Sequence, residues 1–206
     1  MPIAFLIFSI YSISHLQLGS AQVENWKRYS DPDQKFTFLH PPKWVVESTH
    51  DNISGYTEVT LINPNSTRMK VSVLYNPNDP LLNSKTGKPV VPSRALRNLE
   101  SQISTDYFFF NSTGKFPHKY SVLGYESASD MVDYEVSEGK PGKMLIVLAK
   151  ITDKDSLVFS YSESKRTFYK SLSNTSQIIK SISISFCDLS IEELGECQNK
   201  GYYKET

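Results

Sequence analysis

A chain of 206 residues, 39% hydrophobic and 12% aromatic, carries enough apolar material for its own core, which excludes a disordered polymer and a fold dependent on metals or cross-links. Its 22 basic and 22 acidic residues cancel and alternate along the chain. That argues against nucleic acid, whose phosphates call for a concentrated Lys/Arg face.

The chain opens with 21 residues free of Lys, Arg, Asp and Glu. From Ile3 to Ile13 they form an apolar run, and Gly19-Ser20-Ala21 supplies small residues before Gln22. This is the form of a secretory signal peptide over residues 1–21, cleaved after Ala21. The run is too short for the roughly 20 apolar residues of a bilayer span. An uncleaved N-terminal anchor is the alternative, because no Lys or Arg precedes the run. The expected location is extracytoplasmic: secreted, or at the outer face of a membrane.

After the leader, Phe36 to Leu39 and Lys43 to Glu47 read as strands separated by His40-Pro41-Pro42. Tyr56 to Ile62 and Met69 to Tyr75 read as a hairpin around Asn63-Pro64-Asn65-Ser66-Thr67. Asn76 to Pro92 has no sustained period and reads as a long loop. Ser93 is placed to cap a helix in which Leu96, Leu99 and Ile103 share a face. Tyr120 to Leu123, Ala128 to Val136, Met144 to Ile151 and Leu157 to Tyr161 are further strand candidates, joined by short turns that include Gly139-Lys140-Pro141-Gly142. Such short connections imply antiparallel neighbours. Phe168, Leu172, Thr175 and Ile179 mark a second helix, and Ile182, Ile184 and Phe186 alternate with serines in a last strand. The class is α+β.

Trp26, Tyr29 and Asp31 precede Phe36-Thr37-Phe38, and Pro41 and Trp44 follow. Near the other end stand Phe159-Ser160-Tyr161, then Phe168 and Tyr169, then Ile179-Lys180-Ser181-Ile182-Ser183-Ile184. These segments resemble the opening and closing motifs of the PsbP family, in the superfamily that also holds the Mog-type Ran-binding proteins. The family usually has a glycine before its Phe-x-Phe, whereas Gln34 and Lys35 stand here, and the tail from Cys187 lies outside the pattern. The resemblance implies a PsbP-like α/β/α sandwich, an antiparallel β-sheet between helices, over residues 22–186, followed by a polar tail over 187–206. It also implies no enzymatic site, since family members are commonly exported accessory proteins that dock on larger membrane complexes.

Candidate sites are few. Cys187 and Cys197 can close a disulfide loop worth about 3 kcal/mol, with two free thiols as the alternative. Asn52, Asn65, Asn111 and Asn174 fit the N-glycosylation pattern and matter where the source organism glycosylates. His40, His50 and His118 lack metal-ligand spacing. Asp31 and Asp33 read as a solvated turn rather than a cation site, and Asp130, Asp133, Glu135 and Glu163 as a solvent-facing set rather than a catalytic pair. Tyr107-Phe108-Phe109-Phe110 is the one unusual apolar cluster, either core packing at a helix end or an exposed docking patch. No catalytic, cofactor or metal motif is found, and the export signal together with the family resemblance implies a non-enzymatic binding or accessory protein with a protein partner, such as a membrane-associated complex. The alternatives are a carrier of small apolar ligands, marked by a large dry cavity, and a hydrolase using carboxylates brought together by folding.

Overall fold

The computed structural model describes residues 25–66, 69–83, 88–114 and 120–185. The leader, His118, Phe186, Cys187 and Cys197 lie outside the described residues.

Two antiparallel sheets form the frame. The larger contains β3 (Val45–Asp51), β4 (Tyr56–Ile62), β5 (Lys70–Asn76), β6 (Phe109–Ser112), β7 (Glu126–Glu135), β8 (Pro141–Lys150) and β9 (Ser156–Ser164), in the order β3-β4-β5-β9-β8-β7-β6. The smaller contains β1 (Lys27–Ser30), β2 (Phe36–His40) and β10 (Ser183–Ile184), in the order β1-β2-β10. Helix α1 (Pro92–Ile103) leads through a 3₁₀ turn at Ser104–Asp106 towards β6, and α2 (Phe168–Ser181) links β9 to β10.

Period-two alternation gives the large sheet two faces. One carries Val59, Leu61, Val71, Val73, Leu145, Val147, Phe159 and Tyr161, covered by Phe36 and Phe38 of β2 and by Phe168, Ile178 and Ile179 of α2. The Tyr161 hydroxyl donates to the Phe168 carbonyl at 2.8 Å and fixes the start of α2. At the other end of that helix, the Ser181 hydroxyl accepts the Leu39 amide at 2.9 Å, so a side chain satisfies β2 where the two-residue β10 does not reach. The opposite face carries Ala128, Val132, Met144, Ile146 and Leu148 beneath Ala95 and Leu96 of α1.

The α+β reading and the hairpin of β4 with β5 agree with the structure. Several boundaries differ. Tyr120 to Leu123 forms no strand, although Val122 enters the core. The second strand runs later, over Val45–Asp51, as an exposed edge paired with β4. Helix α1 starts at Pro92 with Val91 at its N-cap and no side-chain cap bond, so Ser93 is already helical. The fixed φ of proline suits that first turn. Strand β1 has no apolar alternation to announce it; Lys27 to Ser30 is ordered by pairing with β2.

Asp31 is no solvated turn residue. It is buried, accepting the amides of Asp33 and Lys35 at 3.1 and 3.2 Å and the Thr57 hydroxyl at 2.7 Å. Thr57 in turn lies 2.8 Å from Nδ1 of His50, whose Nε2 is 3.5 Å from Asp33. This chain of side chains clasps the β1–β2 turn to the β3–β4 hairpin, joining the two sheets.

Candidate functional site

The face that α1 covers is covered only in part, and the sequence of the strands follows the boundary. Along one cross-strand row the residues are Thr60, Ser72, Ser160, Ile146 and Asp130; along the next, Ile62, Lys70, Ser162, Met144 and Val132. The serines of β5 and β9 give way to Met144 and Ile146 at β8, which is buried on both faces with its even-numbered residues under α1. Beyond it, Thr60, Ser72, Ser160 and Ser162 are only half-buried, as an antiparallel sheet with one wet face permits.

Along this boundary runs an open groove of about 260 Å³. Leu99, Ile103, Asp106 and Tyr107 form one side, and Glu58, Lys70, Ser72, Ser160 and Ser162 are among the residues of the sheet that line it. Leu74, Met144, Ile146 and Val158 add apolar surface beside these polar groups, and the groove is open to solvent rather than an enclosed cavity.

The groove ends at an aromatic cluster. Tyr107 packs edge-on against Tyr134 at 4.9 Å between ring centroids and tilts against Phe110 at 5.6 Å. The Tyr134 ring lies over Gly142, where a β-carbon would overlap it. Gly142 therefore belongs to the body of β8, opposite Tyr134, rather than to the hairpin turn. Sequence reading missed this pairing, and the register that turns a glycine into a seat for a ring is the signal that identifies it.

The segment Tyr107 to Phe110 thus divides. Tyr107 and Phe110 face the α1 side of the core, whereas Phe108 is 72% exposed and Phe109 48% exposed. Phe109 and Phe110 belong to β6, which pairs with β7 alone and forms one edge of the large sheet.

The four carboxylates expected on a solvent face are not equivalent. Glu163 is buried and accepts the Ser66 hydroxyl at 3.1 Å. Asp133 takes ion pairs from Lys143 and Lys165 at 2.5 and 3.0 Å. Glu135 is half-buried at the end of β7. Asp130 is buried, because β7 lies beneath α1 rather than at a free face, and it accepts the amides of Met131 and Gly114 at 2.6 and 3.2 Å and the Ser112 hydroxyl. Facing it is Glu100 of α1, buried, with Oε1 lacking a hydrogen-bond partner. Burial first, then the charge of Asp130 and a hydrogen bond to it, push the Glu100 carboxyl up to about 7. Folding has brought two carboxyls together, but neither lines the groove.

Asn52, Asn65 and Asn111 are exposed, in the β3–β4 turn, the β4–β5 turn and β6. Asn174 is half-buried within α2, and the next residue, Thr175, is fully buried. Among the described residues no group of three His, Cys, Asp or Glu could hold a metal ion, and no helix is long and apolar enough to cross a membrane.

No family model and no curated protein matches the chain. Solved structures do. The cyanobacterial PsbP of Synechocystis sp. PCC 6803 is similar over 81% of this chain and 96% of its own, with 11% identity and a TM-score of 0.51. This chain has a PsbP-like fold. LpqN of Mycobacterium tuberculosis, described as involved in cell envelope biogenesis, is 11% identical over 77% of this chain and 90% of its own, with a TM-score of 0.49. The Saccharomyces cerevisiae Ran-binding protein Mog1p is 9% identical over 78% and 95%, with a TM-score of 0.48. The sandwich inferred from packing motifs is thus present, with α1 on one side of the large sheet and α2 with the small sheet on the other.

Proposed function

We propose that this chain is an extracytoplasmic, non-enzymatic accessory protein that docks on a protein of a membrane-associated complex through Tyr107 to Phe110. The observation that supports this reading is the split within the segment. Tyr107 and Phe110 pack, partly buried, against the core, whereas Phe108, just before the edge strand β6, and Phe109, its first residue, are exposed to solvent. Exposed aromatics held on a rigid element lose little freedom when they are covered, which is how aromatic anchors come to dominate interfaces. The apolar leader supports export, and Cys187 with Cys197 would suit an oxidising compartment.

The test is affinity capture of the tagged, full-length protein from gently solubilised native membranes, beside a Phe108→Ser/Phe109→Ser variant. The wild type is expected to recover one stoichiometric membrane complex and the variant to lose it while remaining folded by circular dichroism. Recovery of the same complex by both proteins, or of the tagged chain alone by the wild type, overturns the reading.

A further inference from the structure

Glu100 of α1 and Asp130 of β7 set two carboxyl groups against each other beneath a helix. Asp130 accepts the Met131 and Gly114 amides on one oxygen and the Ser112 hydroxyl on the other, which leaves one acceptor site of the carboxylate for a further donor; Ser112 belongs to β6 and Gly114 follows it. Glu100 has an oxygen with no partner, although the residue is 92% buried by its 8% exposure. Two carboxylates in this position repel, and an unpartnered buried acceptor is costly. A single proton resolves both difficulties, since a neutral Glu100 carboxyl can donate to the Asp130 carboxylate.

We propose that Glu100 and Asp130 form a proton-operated latch that fastens α1 to β7 and, through Ser112 and Gly114, holds the edge strand β6 in place. When the proton leaves to water, two adjacent negative charges remain under the helix and the latch loosens. Among the described residues, the charged groups that act on Glu100 are Asp130 of β7 and Arg97 of its own helix. The apolar side chains that β8 and β6 bring beneath α1 are Met144, Ile146, Leu148 and Phe110. The position of the Glu100 carboxyl, pushed up to about 7, places the transition in the neutral range. The segment between α1 and β6 is the one proposed above for docking, so the consequence for partner binding rests on that reading, whereas the latch itself does not.

The test follows the full-length protein between pH 5.5 and 8.5 by nuclear magnetic resonance. The Glu100 carboxyl carbon is titrated directly, and amide exchange in α1 and β6 is measured after correction for intrinsic chemistry. A Glu100 midpoint in the neutral range is expected, together with about ten-fold faster exchange in α1 and β6 on its alkaline side. In Glu100→Gln, whose amide can donate to Asp130 at every pH, that dependence is expected to vanish. A midpoint in the ordinary glutamate range overturns the latch, and so does wild-type protection that ignores pH. The carboxyl titration decides the matter even if the variant fails to fold. Neither readout requires a partner, so a docking patch that proves inert leaves the latch standing.

Discussion

The Tyr134 ring occupies the space that a side chain at position 142 would need, so Gly142 is the seat of the aromatic cluster that closes the groove. Gly142→Ala is expected to displace that ring and, through the 4.9 Å contact, Tyr107. Overpacking of this kind costs about 1–3 kcal/mol. Urea unfolding measures the loss, and an unchanged midpoint and slope would show that Tyr134 does not depend on the glycine.

Asp31 is expected to be among the most sensitive polar positions. Replacement by alanine removes the acceptor of two backbone amides and of the fully buried Thr57 hydroxyl, which keeps only its contact with His50. A loss of about 3 kcal/mol follows from the usual cost of unsatisfied buried donors. Thr57→Val is expected to cost less, and the Asp31→Ala/Thr57→Val double variant less than the sum of the two. Strictly additive values in that cycle would mean the clasp between the sheets is not a coupled unit.

These two positions show what the sequence made legible and what it withheld. The large strands and both helices were readable because Val71, Val73, Phe159 and Tyr161, or Leu96, Leu99 and Ile103, repeat at the period of their element. Strand β1 was not, since Lys27 to Ser30 owes its conformation to β2 rather than to its own pattern. Asp31 and Asp130 looked like surface carboxylates because type and spacing do not reveal a partner 26 residues away, at Thr57, or a helix overhead. The aromatic segment was visible, but which of its rings face solvent depends on the register of β6 with β7.

Gln34 stands where the family resemblance leads one to expect glycine, and it adopts a left-handed conformation with φ of 56°. The turn keeps its geometry, with the Gln34 amide donating to the Asp31 carbonyl at 2.8 Å, at the cost of placing a β-carbon in that region. Gln34→Gly is therefore expected to stabilise the protein by about 0.5–1 kcal/mol, the relief of strain outweighing the added freedom of the unfolded chain. Thermal unfolding at fixed pH reads the change, and a lower midpoint would show that the Gln34 side chain contributes more than its backbone costs.

The pH dependence of stability has two flanks set by different carboxyls. Burial pushes Asp133 up, but hydrogen bonds from Lys143 and Lys165 outweigh it and leave the group below its ordinary 3.8. Its stabilisation is complete above that value and is lost as pH falls through the lower folded-state value. Glu100 behaves oppositely. Its carboxyl rises from 4.5 to about 7 in the folded protein, so its contribution is complete below 4.5 and is lost as pH rises through 7. For these two groups stability is expected to peak between about pH 4 and 5 and to decline towards neutrality. Glu100→Gln should remove the alkaline flank and leave the acid one, while Lys165→Met should weaken the acid flank and leave the alkaline one. Denaturant unfolding across pH 3 to 8 separates the two, and a wild-type profile that climbs from pH 5 to 7 would assign the controlling titration to other groups.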